Sequence, residues 1–371
     1  MRVVFVVPWF HTNLYYALRA LLRHGVQPTL VVRYPDTTSL DGVRLREMVP
    51  PVSLGAARRV LREERPDLVV IRKTKGVSAA FHRAALLQRR VMVGYDQRPL
   101  WRPRPPGHAV RGLLKGRPAY RFTPVHGLPT RERRLDPTAT YLPFPVEGAV
   151  EDAVRAWAPD GIVRILCVGR LVESRKNQHG LLQALETLAP DGDFRVTLVG
   201  GTKVVKGVSE PAHLERLRRY AREGPLADRF TLREDASFEQ MPAIYASHDL
   251  CVLPSLSEPL GTAPLEAMAY GCAAVVSATC GSAWYVEGAK EAGLPCGEVV
   301  PTGDQAALTE TLRRLLSRPG DLPRLGENAL AWTRREFSED RFSERFLALA
   351  DRLGARVAWS CRERGGNGRA A

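Results

Sequence analysis

Short apolar runs alternate along this chain with segments whose apolar residues recur every three or four positions. Residues 3–7 form an uninterrupted apolar run of buried-strand length. Leu14, Ala17, Leu18, Leu21 and Leu22 follow on one helical face, and His24-Gly25 supplies a left-handed stop. Further strands are predicted over residues 29–32, 68–71, 91–94, 122–125 and 141–142. A Pro-rich stretch, residues 142–147, and a polar segment to Asp160 predict a domain junction. Beyond it the pattern restarts. Strands are predicted over 162–168, 195–199, 230–232, 250–253 and 273–277. Leu181, Leu182, Leu185 and Leu188 mark one helix of this half, and Leu308, Leu312, Leu315 and Leu316 another.

Strands alternating with helices imply right-handed crossovers and parallel sheets. The restart implies an α/β chain of two doubly wound, Rossmann-like domains facing a cleft. The expected domains are residues 1–148 and 149–336. The last helix, with Phe342, Phe346, Leu349, Ala350 and Leu353 on one face, has no strand after it. Residues 357–371 hold too little apolar content to form a core and are expected to be disordered.

The 371 residues, 44% hydrophobic and 25% charged, suit a globular protein of two domains of roughly 150 residues each. No apolar stretch approaches the ~18–20 residues that span a bilayer. The opening run, ended by Pro8, reads as a strand rather than a secretion signal, so a cytoplasmic location is expected. Cys167, Cys251, Cys272, Cys280, Cys296 and Cys361 include no C-x-x-C pair, and no histidine stands at ligand spacing. They are expected to be reduced thiols, with no metal.

The formal charge of +14 is unevenly spread. Between Arg98 and Arg134 ten Lys/Arg face one acid, Glu132. Such a surface attracts nucleic acid, anionic lipid or a phosphate-bearing substrate. Trp101, Leu113, Leu114, Tyr120 and Phe122 interleave with these cations, which favours a peripheral site on an anionic inner leaflet.

The candidate chemistry lies in the second half. Glu258 and Glu266 stand eight positions apart in S-E-P-L-G-T-A-P-L-E, so two carboxylates can share a face at a helix start. The Gly261-Thr262 stretch between them would present backbone N–H groups to an anion, with Thr262 an N-cap candidate. This spacing resembles the E-x7-E signature of the family-4 retaining glycosyltransferases. Upstream, V-G-R-L-V-E-S-R-K-N places Arg170 and Lys176 after a strand ending at Gly169, which resembles the same family's G-R-L…K element.

The resemblance implies a GT-B fold with the final helix, residues 337–356, crossing back to the first domain. It further implies metal-independent retaining hexosyl transfer from a UDP- or GDP-sugar, with no cofactor. Gly169, Arg170, Lys176, Glu258, Leu260, Gly261, Thr262 and Glu266 would bind the donor. Arg170 and Lys176 would stabilise the leaving diphosphate, with Arg175 a rival for the lysine's place. Glu266 would accept hydrogen bonds from the ribose diol, and Glu258 would lie against the transferred sugar. Pro259 stands where the family usually has glycine and removes one N–H.

In the first half, His11 and Asn13 follow the first strand, and Arg72 and Lys73 follow the predicted third. These four are candidates for an anionic or lipid-linked glycan acceptor or a small glycoside. Asp96, after the predicted fourth strand, is a candidate for touching the donor sugar or taking the acceptor proton. Two alternatives remain at this level: a sugar-nucleotide 2-epimerase of the same fold, and a nucleic-acid-binding protein drawn by the basic surface.

Overall fold

A computed structural model of the chain describes residues 1–10, 12–34, 40–102, 118, 120–148, 161–190, 192–205 and 207–355, with the backbone alone at 12, 13 and 102. The protein divides into two compact units. Among the described residues, the first runs from Met1 to Tyr95 and takes in the chain again from Ser343. The second begins at Asp96 and includes Tyr120 to Phe342. Pro143 and Pro145 therefore fall inside the second unit. The final helix begins in the second unit and continues in the first.

In the first unit the elements are β1 (Arg2–Val7), α1 (Thr12–Arg23), β2 (Gln27–Val32), β3 (Arg44–Glu47), α2 (Leu54–Glu64), β4 (Leu68–Arg72), α3 (Ser78–Leu87) and β5 (Met92–Tyr95). The strands lie parallel in the order β3-β2-β1-β4-β5. β1 is buried at every position after the first, as a strand covered on both faces requires. β3 escapes sequence recognition because its R-L-R-E is a charged, mostly exposed edge. It is fastened by buried Glu64 at the end of α2, which accepts from Thr29 Oγ1 (3.0 Å), Arg44 Nη1 (3.0 Å) and Arg46 Nε (2.9 Å). Burial pushes the Glu64 carboxyl up, but these partners outweigh it and hold its pKa below the ordinary value.

The second unit opens with β6 (Trp101–Arg102), β7 (Arg121–Thr123), β8 (Arg134–Leu135) and β9 (Ala139–Tyr141). β7 pairs in parallel with β9, and β6 antiparallel with β8. Then follow β10 (Val163–Val168), α4 (Gln178–Leu188), β11 (Phe194–Gly200), α5 (Pro211–Glu223), β12 (Phe230–Glu234), α6 (Met241–Ala246), β13 (Leu250–Leu253), α7 (Ala263–Met268), β14 (Ala273–Ser277), α8 (Ala283–Glu291), β15 (Gly297–Val300), α9 (Gln305–Leu316), α10 (Leu322–Glu336) and α11 (Glu339–Arg352).

All six strands β10 to β15 are parallel, in the order β12-β11-β10-β13-β14-β15. Side chains alternate between two apolar clusters: Ile165 and Cys167 enter one, Leu166 the other. The sheet is thus covered on both faces, and its order reverses between β10 and β13. The loops leaving those two strands diverge there, which is where a doubly wound sheet binds ligands.

Within the first unit, Phe346 of α11 stacks on Phe5 of β1 with ring centroids 6.0 Å apart. Among the described residues no helix is long and apolar enough to cross a membrane. The described cysteines, 167, 251, 272, 280 and 296, are all buried and unbridged. Residues 103–117 and 119 of the basic segment, His11, and the tail from 356 lie outside the described residues.

Candidate active site

The loops leaving β10 and β13 carry the cationic and acidic residues singled out from the sequence. β10 ends at Val168, and Gly169 donates its N–H to the Val199 carbonyl at 2.9 Å. A Cβ on Gly169 would stand 3.3 Å from Lys176 Cδ, so glycine lets the lysine stem cross the strand end. Leu171 and Val172 are buried and pin the loop to the core. A 3-10 turn over Ser174–Lys176 leads to Asn177 at φ +56° and then into α4. Lys176 therefore sits in the turn before the helix, with its N–H on the Glu173 carbonyl at 3.0 Å.

From the β13 side, Gly261 adopts φ +68°, and its missing Cβ would lie 3.1 Å from Glu258 Cγ and 3.0 Å from Leu253 Cδ2. Glycine is required there twice over, by backbone conformation and by space. The Glu258 carbonyl accepts from Gly281 N at 2.9 Å, which locks the loop against the start of α8. Leu260 is buried beneath the turn. Thr262 precedes α7, but its side chain makes no capping bond. Its backbone is already helical (φ −76°, ψ −24°) rather than extended as a capping residue's is, and Pro264 at the second helical position has no N–H to offer.

The two loops meet at Glu258. Lys176 Nζ bonds Glu258 Oε2, and both side chains are mostly buried, at 11% and 12% exposure. Arg175 Nη1 reaches the same oxygen at 3.1 Å and also donates to the Ser257 carbonyl. Burial pushes the Glu258 carboxyl up, but Lys176 and Arg175 together outweigh it, so its pKa lies below the ordinary value. Arg175 therefore stands beside Lys176 at the same carboxylate.

Arg170 faces Glu173 Oε1 at 3.4 Å and donates to the Lys203 carbonyl. Glu173, a buried carboxylate absent from the sequence-based set, also holds Arg175. Its place between two arginines in R-L-V-E-S-R was the available signal. Glu266, on α7, accepts from Tyr245 Oη at 2.5 Å. Burial and Glu266 both push the Tyr245 pKa far up, so the phenol stays a donor. Tyr245 lies 21 positions upstream and gave no sequence signal.

The remaining described candidates lie on other elements. Asp96 belongs to an ion-pair network: Arg98 Nε reaches Oδ2 at 2.7 Å and Arg121 Nη1 reaches Oδ1 at 2.7 Å. Buried Arg121 also bonds Asp136 Oδ2 at 3.1 Å. Both Asp96 oxygens are thus engaged by arginines that order the segment around β7. In the first unit Arg72 ends β4, with its guanidinium 5.0 Å from the Tyr95 ring and 5.9 Å from Trp9. Trp9 follows β1, so this cluster marks that sheet's own order reversal. Lys73 is exposed, Asn13 lies in α1, and His11 lies outside the described residues.

Comparison with known proteins adds to this geometry. Residues 156–332, just under half of the chain, match the family model described as "Glycosyl transferases group 1". The chain is 32% identical over 176 residues to "D-inositol 3-phosphate glycosyltransferase 2" of Catenulispora acidiphila, covering 46% of this chain and 39% of that protein. It is 29% identical over 208 residues to "Lipopolysaccharide core biosynthesis mannosyltransferase LpcC" of Rhizobium leguminosarum bv. viciae, covering 55% of each. The alignments thus span between about two fifths and just over half of these relatives. In structure, HepE of Anabaena in complex with UDP-glucose superposes with a TM-score of 0.68 at 16% identity, covering 95% of this chain and 100% of that one. The fold is accordingly the GT-B type.

Proposed function

We propose, on the premise that residues 156–332 belong to the group 1 glycosyltransferases, that this protein transfers a sugar from a nucleoside diphosphate sugar, UDP- or GDP-linked, with retention of configuration. The observation that carries the reading is the convergence of Lys176, Arg175 and Glu258 from the two loops at the β10/β13 reversal. It supports a reading in which these cations take a diphosphate and the carboxylate beside them faces a sugar. That the related HepE fold holds UDP-glucose supports the donor class.

In this reading Arg170, Arg175 and Lys176 take the diphosphate oxygens, where negative charge grows as the glycosidic bond breaks. Glu266, oriented by Tyr245, accepts from the ribose hydroxyls with its remaining lone pairs. Glu258 faces the sugar, holding hydroxyls and favouring positive charge at the anomeric carbon. The leaving diphosphate oxygen takes the acceptor's proton on the same face, so no side-chain nucleophile is needed. The reaction so written uses no metal. We assign the acceptor to the first unit, where Arg72 and Lys73 favour one bearing phosphate or carboxylate.

The test is a panel of UDP- and GDP-sugars offered to the purified protein, following nucleoside diphosphate release and the anomeric proton of the product by NMR. Release with any donor, giving a product of the donor's anomeric configuration, supports the reading. An inverted product removes the retaining part, and no binding of any nucleotide removes the whole.

A further inference from the structure

The donor reading leaves one charged group of the site unused. Glu173 is a carboxylate buried at 2% exposure, in a loop otherwise built to attract anions. Both of its oxygens face guanidinium groups: Oε1 lies 3.4 Å from Arg170 Nη1, and Oε2 bonds Arg175 Nη2. The two arginines keep more than a third of their side-chain surface exposed, 36% and 38%. Each is tied a second time by a main-chain carbonyl, Arg170 to Lys203 and Arg175 to Ser257. The carboxylate thus forms a floor under two cations whose outer faces are open.

Resting on the nucleotide-sugar reading, we propose that Glu173 is a positioning residue that aims Arg170 and Arg175 at the donor diphosphate. Two guanidinium groups five positions apart on one loop repel each other and would each turn toward water. A shared buried carboxylate cancels the repulsion and fixes both planes, because a guanidinium offers its donors in a rigid fork. The same guanidinium reaches Glu258 through its other nitrogen, Nη1, so Glu173 also steadies the link between the loops after β10 and β13. A buried charge of the wrong sign beside an anion site is retained because it orders the charges of the right sign.

This role has a consequence that a purely Coulombic role reverses. Removing a negative charge next to a diphosphate should, by charge alone, tighten binding. Removing a positioning group should loosen it. Calorimetric titration of UDP and GDP into the wild type, Glu173→Gln, Arg175→Gln and the double variant distinguishes the two, with thermal melts reporting the fold and Glu215→Gln as a surface control. We expect Glu173→Gln to weaken binding of the preferred nucleotide by about tenfold and to lower kcat with it. We expect a clearly smaller effect of the same change in the Arg175→Gln background. Should Glu173→Gln not fold, Glu173→Asp decides: the charge is kept, so Coulomb's law expects no loss, whereas a shortened prop gives a loss. Equal or tighter binding by either variant, or strict additivity with Arg175→Gln, overturns the proposal. A wild type that binds neither nucleotide overturns the parent reading before any variant is made.

Discussion

Replacing Glu258 by glutamine should lower the stability of the free protein and yet tighten its grip on a nucleoside diphosphate. In the free structure Lys176 is not waiting for phosphate; it is bonded to Glu258, with both side chains close to nine-tenths buried. Two unit charges at about 4 Å interact by ~4 kcal/mol at an effective dielectric of ~20. The amide of glutamine keeps the volume and one hydrogen bond, so the net loss should be about 2 kcal/mol. For a unit of this size that is a fall of about 5 °C in melting temperature. A diphosphate entering the wild-type site must displace this internal partner. In Glu258→Gln that step is missing, and UDP or GDP should bind about tenfold more tightly, equivalent to ~1.4 kcal/mol. Turnover should still fall by about a hundredfold, because the carboxylate we propose to face the anomeric carbon is gone. The wild type carries a pH signature as well. Its Glu258 pKa is lowered on folding, so the pair's stability is complete above the ordinary carboxyl value of 4.5 and is lost as pH falls through the lowered one. Glu258→Gln should lack that acid-side loss. Differential scanning calorimetry and isothermal titration read both quantities. A variant that melts with the wild type, or that binds the nucleotide more weakly, refutes the reasoning.

Gly261→Ala should cost about 1–2 kcal/mol from the left-handed backbone alone and reduce kcat by at least about tenfold, because the new methyl would press on Glu258 Cγ at 3.1 Å. Gly25→Ala is the control: its φ is +72° but nothing lies within 4 Å, so it should show the strain without the loss of turnover. Equal effects on turnover would dismiss the crowding. His213 has its pKa pushed down to about 4, first by burial and then by His179 and Arg216. Its folded pKa lies below the ordinary 6.5, so the unfolded chain takes the proton first and stability should fall as pH drops from 6.5 toward 4. His213→Gln should flatten that slope in melts at pH 7 and pH 5, and His126, lowered in the same direction, should retain part of it. An unchanged slope would mean that His213 does not titrate in this window.

The parts of the fold that read cleanly from sequence are those whose burial is two-sided. β10, β13 and β14 are nearly unbroken apolar runs because both faces of the sheet are covered, and their predicted bounds fall within a residue of those observed. β3 and β15 did not read, since R-L-R-E and G-E-V-V are short and partly exposed. The residues proposed for the donor stand together in the linear order for a different reason. Arg170 and Lys176 share one loop, and Glu258, Gly261 and Glu266 share another, so their spacing survives in the linear order. Groups whose partners arrive by tertiary packing left no such trace. Tyr245 reaches Glu266 only through the packing of α6 on α7. Asp96 looked available at a strand end because nothing in its neighbourhood announced that Arg121, 25 positions on, would return to it.

Arg175 shows why the spacing of charges alone could not order the site. Its guanidinium bonds two carboxylates that look alike in sequence, Glu173 and Glu258. One is sealed from solvent at 2% exposure, and no ligand can replace it. The other, at 12%, lies midway along the loop after β13. A diphosphate can therefore compete with Glu258 for Arg175 and Lys176, but it cannot reach the bond to Glu173. Loss of the exchangeable partner frees cations that are already aimed, and loss of the fixed partner frees cations to turn away. Opposite signs of nucleotide affinity for two glutamate-to-glutamine changes at one arginine follow directly from that difference in burial.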